Sequence, residues 1–453
     1  MFLNRKASAG ACLALIIAMS LSACGGNVTK TIGTQEAAQL AARGQVKEAA
    51  DEYARIGEIL LPTAPQYADE MFDRALQIDP THSKANFYGA ISRVLMSGKG
   101  FATRFESIVN TDQLRRLEQM KRDVRDTKIP ELANFIEQLP AGKQAFGSYY
   151  DLQRALRTEA LPALEEAQKR LARIDTSVPI ELTIDLSRLS PSYWPSSESY
   201  SYEYSYCSRS EYNGQTGWVC RETVTERYSY YFMIPGGPKS FAVDSSDLEV
   251  VKSAFKGMTD FVRLSTAYSV KDLELFAKSY ASYERFFGYV PVVQAVRLAR
   301  QFSDLGKLMP DHQLDLVVAS SADTIEHLLS LNSMRSQLCG NAARRNANRI
   351  FEDICFSTDD LGRLQLVADL LAGPKKLDIG SSDGEQLSVL VNLPGFMKHP
   401  PADLKDLLPT GVAGNGAPVV SDPTFDGLFP NGDAIEKLHR AGIIHFEPGH
   451  ETR

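Results

Sequence analysis

Apolar positions along this chain follow a helical period, switch to a period of two, and then return to helical spacing. From Gln35 to about residue 173 they step by three and four among frequent alanine and glutamate, which predicts a succession of helices. Within that stretch Leu114, Leu117, Met120 and Val124 form one stripe, read as core. A helix introduced by Pro130 carries Leu132, Phe135, Ile136 and Leu139. Between about residues 178 and 234 the period becomes two, and Ile180 to Leu186 alternates cleanly as a strand. Helical spacing resumes near Ser246 with Leu248, Val251, Phe255, Met258 and Val262. Further helices are expected over 270–287, 291–308, 311–338 and 345–355. A last one is bounded by Ser357 to Asp360 at its start and by Gly373-Pro374 at its end. The final 81 residues hold nine of the 22 prolines and read as a loop-rich tail with short helices near 402–408 and 433–441.

Six segments follow from these changes: 1–23, 24–34, 35–177, 178–235, 236–373 and 374–453. The expected fold is mainly α, a helical-hairpin bundle or short solenoid with an inserted, disulfide-bridged antiparallel β-hairpin and a loop-rich C-terminal tail. The hairpin is specified in unusual detail. Asn213-Gly214 is the strongest short-range signal for a two-residue type I′ turn. Centring the turn there pairs Tyr212 with Gln215 and, counting outward, Cys207 with Cys220 on a non-hydrogen-bonded pair, where a disulfide fits. The same count sets Tyr200, Tyr202, Tyr204 and Tyr206 opposite Arg227, Thr225, Thr223 and Arg221. This tyrosine face, flanked by Arg221 and Arg227, is a candidate docking surface for a partner or glycan. A second bridge between Cys339 and Cys355 requires the chain to break at Gly340-Asn341, because one helix would hold the sulfurs about 24 Å apart. Metal binding by these four thiols is disfavoured, since no CxxC spacing occurs.

Residues Ala68, Phe72, Ala75, Leu76, Asp79 and Pro80 resemble the second helix and terminating proline of a tetratricopeptide repeat, with Ala85 to Ala90 as the next first helix. A weaker echo lies at Gly44, Ala49 and Tyr53. The resemblance implies stacked helical hairpins over roughly residues 35 to 100. Ala49 and Ala68 are 19 residues apart, whereas that family recurs at about 34, so the copies are out of standard register.

The amino terminus carries an uncharged run from Ala9 to Leu21 behind Arg5 and Lys6, too short to span a bilayer and ending in Leu21-Ser22-Ala23-Cys24. This ending resembles the signal of bacterial lipoproteins. The resemblance implies cleavage before Cys24, acylation of its thiol and its freed amine, and, with Gly25-Gly26 following, an outer-membrane address. Several buried acyl chains anchor far more firmly than one. Residues 25–34 are then a tether. Loss of Arg5 and Lys6 moves the formal charge from −7 to −9. That acidity gives no footprint for nucleic acid. Four cysteines remain for an oxidising compartment: Cys207, Cys220, Cys339 and Cys355.

The chain carries no His-Glu-x-x-His and no phosphate-cradling glycine loop. Ser253-Ala254-Phe255-Lys256 matches the bare Ser-x-x-Lys pattern without its companion elements. His445 and His450, near Glu447, read as a solvated tail. In the tail, Asp422 to Pro430 resembles a phrase of helical-repeat lipoproteins of Gram-negative bacteria; Asp422, Asp426, Asn431 and Asp433 offer oxygens for calcium but at the wrong spacing for an EF-hand. The expectation is therefore a non-enzymatic, cofactor-free envelope lipoprotein that works as a protein-protein interaction scaffold or assembly factor. The alternative is a ligand-binding lipoprotein that uses the tyrosine hairpin or a pocket between helices.

Overall fold

The protein is described from a computed structural model covering residues 27–61, 64–109, 111–126, 130–175, 180–185, 199–212, 215–229, 238–287, 292–333, 358–382, 385–413 and 417–444. Cys24, Cys339, Cys355, His445 and His450 lie outside them, as do the side chains of the 199–229 hairpin. Among the described residues four helices come first: α1 (Asn27–Ala42), α2 (Val46–Leu60), α3 (Pro65–Ile78) and α4 (Ser83–Ser97). Each packs on the next. The reason is legible in α3, where Ala68, Met71, Phe72 and Ala75 lie at i, i+3, i+4 and i+7 and are fully buried. Phe72 stacks on Tyr88 of α4 with ring centres 5.9 Å apart.

Glycine sets the close approach at one seam. A Cβ at Gly57 of α2 would stand 2.5 Å from the Phe72 ring, so the seam between α2 and α3 closes only because that side chain is missing. α4 starts on a histidine cap: the Ala85 N–H donates to His82 Nδ1 at 3.1 Å, and His82 Nε2 meets Asp51 Oδ1 of α2 at 2.9 Å. Since Nδ1 accepts, the ring proton sits on Nε2 and points at Asp51.

The chain then leaves the row through α5 (Phe101–Phe105), α6 (Thr111–Asp126), α7 (Pro130–Glu137) and α8 (Tyr149–Ala155). A π-helical turn at Leu156–Ala160 leads into α9 (Leu161–Ala172), which packs back on α4. Charge fastens this return. Asp73 of α3 accepts from Arg93 of α4 at 2.7 Å and from Arg170 of α9 at 2.6 Å. Arg93 also meets Asp69 at 3.2 Å, and the Ser92 hydroxyl donates to Asp69 at 2.8 Å. Burial pushes the Asp69 carboxyl up, against the pull of Arg93 and Ser92. Gly89 makes room for Arg170, whose Nη1 would stand 2.5 Å from a Cβ there.

Two nested strand pairs follow. β1 (Ile180–Asp185) pairs antiparallel with β4 (Pro238–Val243), and between them in sequence β2 (Ser199–Tyr212) pairs with β3 (Gln215–Ser229). Leu182 and Val243 seat the outer pair in the main core. The row continues through α10 (Ser245–Ser265), α13 (Leu314–Ser333) and α14 (Thr358–Ala372), with α10 on α9 and each on the next, while α11 (Leu273–Phe287) and α12 (Val292–Gln301) pair beside it. Asp244 begins α10 with a reciprocal capping box to Asp247.

Several expectations are corrected. Residues 27–34, within the segment read as a tether, are helical, since the Ala- and Gln-rich stretch beyond Gln35 propagates backward and Ala37 is buried. The helix expected to reach residue 308 stops at Gln301. Gly306 takes a left-handed φ of 78°, and residues 307–308 form bridges to Asp403 and Tyr268 instead. In the tail, the two short helices expected near 402–408 and 433–441 are a 3-10 turn at Leu404–Leu407 and α16 (Ala434–Arg440), and the tail also holds elements that were not expected: β5 (Lys375–Ser382) pairs with β6 (Glu385–Val391), and α15 (Leu393–Lys398), β7 (Gly411–Val412) and β8 (Pro418–Val419) follow. Asp383-Gly384 between alternating apolar runs carried the signal for that hairpin.

Candidate functional site

Among the described residues, an apolar groove of about 380 Å³ lies between α5 and α6. Its position follows from local rules. Gly100, at a left-handed φ of 71°, caps α5 and donates its N–H to Phe135 O at 2.8 Å, so α5 is pressed against α7. A Cβ there would meet Gln138 O at 2.8 Å, which reserves the position for glycine. α5 then presents Phe101 and Phe105 one turn apart, and the following loop adds Val109. α6 contributes Gln113, Arg116, Leu117 and Met120, the i, i+3, i+4 and i+7 positions of one face. Leu117 and Met120 lie on the stripe expected to be core, and they do pack on Ala102, Val124, Phe135 and Ile136. Their other side faces the groove.

The floor is held from beneath. Phe105 meets Phe146 edge to face at 5.1 Å, and the Arg104 guanidinium lies 4.4 Å from the Phe146 ring centre. Arg104 is 5% exposed and donates to both oxygens of Glu159, each at 2.9 Å. Lys143 joins the same carboxylate at 3.0 Å. Burial would raise the Glu159 carboxyl, yet Arg104 and Lys143 hold it below its ordinary value. Ser107 and Tyr149 donate to Phe146 O and Ile108 O, tying the loop after α5 to α8.

Charge at the rim is uneven. Lys121 is buried and pairs with Glu106 and Glu118, which engages carboxylates on both flanking segments. Its own pKa is lowered, chiefly by burial. Arg125 pairs with Glu137. Arg116 is exposed and, among the described residues, has no ion-pair partner. An apolar trough with one uncommitted guanidinium beside it suits apolar side chains accompanied by a carboxylate.

The residues singled out in the sequence fall elsewhere. Cys207 and Cys220 occupy opposite register positions, as expected. Beyond Tyr206, opposite Arg221, a bulge between Ser205 and Tyr206 shifts the register by one, leaving Glu222 without a partner position. Tyr204, Tyr202 and Tyr200 therefore stand opposite Val224, Glu226 and Tyr228, and Arg227 stands opposite Ser201. This corrects the pairing expected for Arg227, which falls on the other parity of the ladder. Ser253 is buried with its hydroxyl unpartnered, while Lys256 pairs with Asp323 of α13, so the Ser-x-x-Lys spacing joins nothing. Asp422 is occupied by the Thr424 and Asp426 N–H groups at 2.8 and 2.6 Å, and Asp433 by Lys437 at 2.6 Å. No group of three His, Cys, Asp or Glu placed to hold a metal occurs among the described residues, and none of their helices is long and apolar enough to cross a membrane. Sequence reasoning missed Phe101, Phe105 and Arg116. Comparison with family models, with curated proteins and with solved structures finds no match for this chain.

Proposed function

We propose that this protein is a lipid-anchored envelope scaffold that grips a protein partner. The observation that carries the reading is the open groove of Phe101, Phe105, Leu117 and Met120 between α5 and α6, beside a row of helices in which α1 to α4, α9, α10, α13 and α14 each pack on the next. Exposed apolar grooves serve as contact surfaces. The sequence Leu21-Ser22-Ala23-Cys24 supports a lipid tether at an outer-membrane face, which would raise the local concentration of a membrane partner. The tetratricopeptide-like residues Ala68, Phe72 and Ala75 support the helical-hairpin reading, because they fill the seam between α3 and its neighbours. Cys207 and Cys220 are proposed to bridge their hairpin in the oxidising space that such a tether implies.

Crosslinking in the native cell followed by mass spectrometry tests the scaffold directly. A recurring stoichiometric envelope protein is expected, and recovery of none after mild crosslinking would contradict it. Metabolic labelling with an alkynyl fatty acid tests the tether separately. Label is expected on the native chain and lost in Cys24→Ser.

A further inference from the structure

We infer that the α5–α6 groove receives an amphipathic helix of a partner protein, whose apolar side chains fill the trough while a carboxylate on the same helix meets Arg116. The inference rests on the scaffold reading and names the chemistry of its partner. Length supports a helix. Gln113 to Met120 spans two turns of α6, about 10 Å, the distance over which a helix presents anchors at i, i+4 and i+7. Openness supports a polypeptide over a small amphiphile. The trough lies open to solvent, so a single acyl chain in it would stay partly wet, whereas ligand sites bury most of their occupant. A partner helix brings its own cover.

Charge supports an acidic partner. Glu106 and Glu118 are committed to Lys121, and Glu137 to Arg125, leaving Arg116 as the lining group with a charge to offer. A guanidinium beside an apolar surface pairs with carboxylate in a directed, two-pronged geometry. A basic partner helix would bring like charges together and be disfavoured. The floor is preorganised for this, because Phe105 rests on Phe146 and Phe146 under Arg104, which Glu159 fixes by two hydrogen bonds.

The test uses the full chain and two alanine-based helical peptides with leucines at i, i+4 and i+7, one with glutamate and one with lysine at i+3, read by fluorescence anisotropy. The glutamate peptide is expected to bind roughly fivefold more tightly at low salt. Arg116→Gln should erase that preference and Arg116→Glu reverse it, with unchanged circular dichroism because Arg116 is exposed. Leu117→Asp should abolish binding of both. Equal binding of the two peptides, or binding of neither, would overturn the inference, as would binding of dodecanoate with none of peptide. If the peptides fail while cellular crosslinks still recover a stoichiometric partner, this groove falls and the scaffold reading stands.

Discussion

The Arg104 guanidinium lies 4.4 Å from the centre of the Phe146 ring, and that contact makes a charged residue part of an apolar floor. The charge is satisfied sideways by Glu159, so the face of the guanidinium is free to stack. Arg104→Ala should therefore cost about 3–5 kcal/mol, the range for removing one partner of a buried ion pair. Urea unfolding measures it, and a loss below about 1 kcal/mol, the scale of a surface pair, would contradict the assignment.

Two glycines, Gly57 and Gly89, sit where neighbouring helices approach closely. Gly57→Ala drives a methyl into the Phe72 ring, and Gly89→Ala drives one into Arg170. Each should destabilise by about 1–3 kcal/mol, the usual range for overpacking. Gly257 in α10 is the control: it is helical, like Gly57 and Gly89, and a Cβ there meets nothing within 4 Å. Thermal melting of the three variants isolates the contact, and equal losses in all three would show that packing is not the cause.

The acidic residues Asp69 and Asp260 make stability depend on pH in an unusual direction. Burial raises both carboxyls above the ordinary 3.8, opposed at Asp69 by Arg93 and at Asp260 by Ser321. The folded state then binds the proton more tightly than the unfolded state. Each group's contribution is thus fully present below 3.8 and is lost as pH rises through the folded value. Asp69→Asn, which keeps an acceptor for Ser92, should gain on the native chain as pH rises from 3 toward 6. Urea titrations across that range check the sign, and a native chain that gains on the variant would refute it.

The hairpin supplies a redox prediction. Cys207 and Cys220 hold opposite register positions, with the bulge lying beyond them. Closing so short a loop should add roughly 3 kcal/mol to stability. Non-reducing peptide mapping of protein produced in an oxidising compartment should recover 207 and 220 as one linked species. Quantitative alkylation of both thiols without reductant would rule the bridge out.

Local chemistry was readable where one element carried its own signal. The stripe from Leu248 to Val262 forms α10, Thr358 and Gly373 bracket α14, and Asn213-Gly214 fixes the first half of the hairpin register. Relationships between distant residues were not readable. Asp73 and Arg170 lie 97 residues apart, and nothing local marks either as a buried partner. The groove was hidden differently. Leu117 and Met120 satisfy a core stripe and a surface at once, and Phe101 and Phe105 sit in a helix of five residues, too short to show a period. The bulge that moves Arg227 off the tyrosine parity leaves no mark in alternation, because both registers keep period two.

We propose that this chain works by holding a partner at the groove. The most direct measurement replaces Phe101 with a benzophenone side chain in the living cell and identifies what it captures on illumination. One dominant envelope protein is expected, captured through an acidic amphipathic helix and lost on adding Arg116→Glu. Capture of nothing beyond the chain itself, or of the same species irrespective of Arg116, would contradict the account.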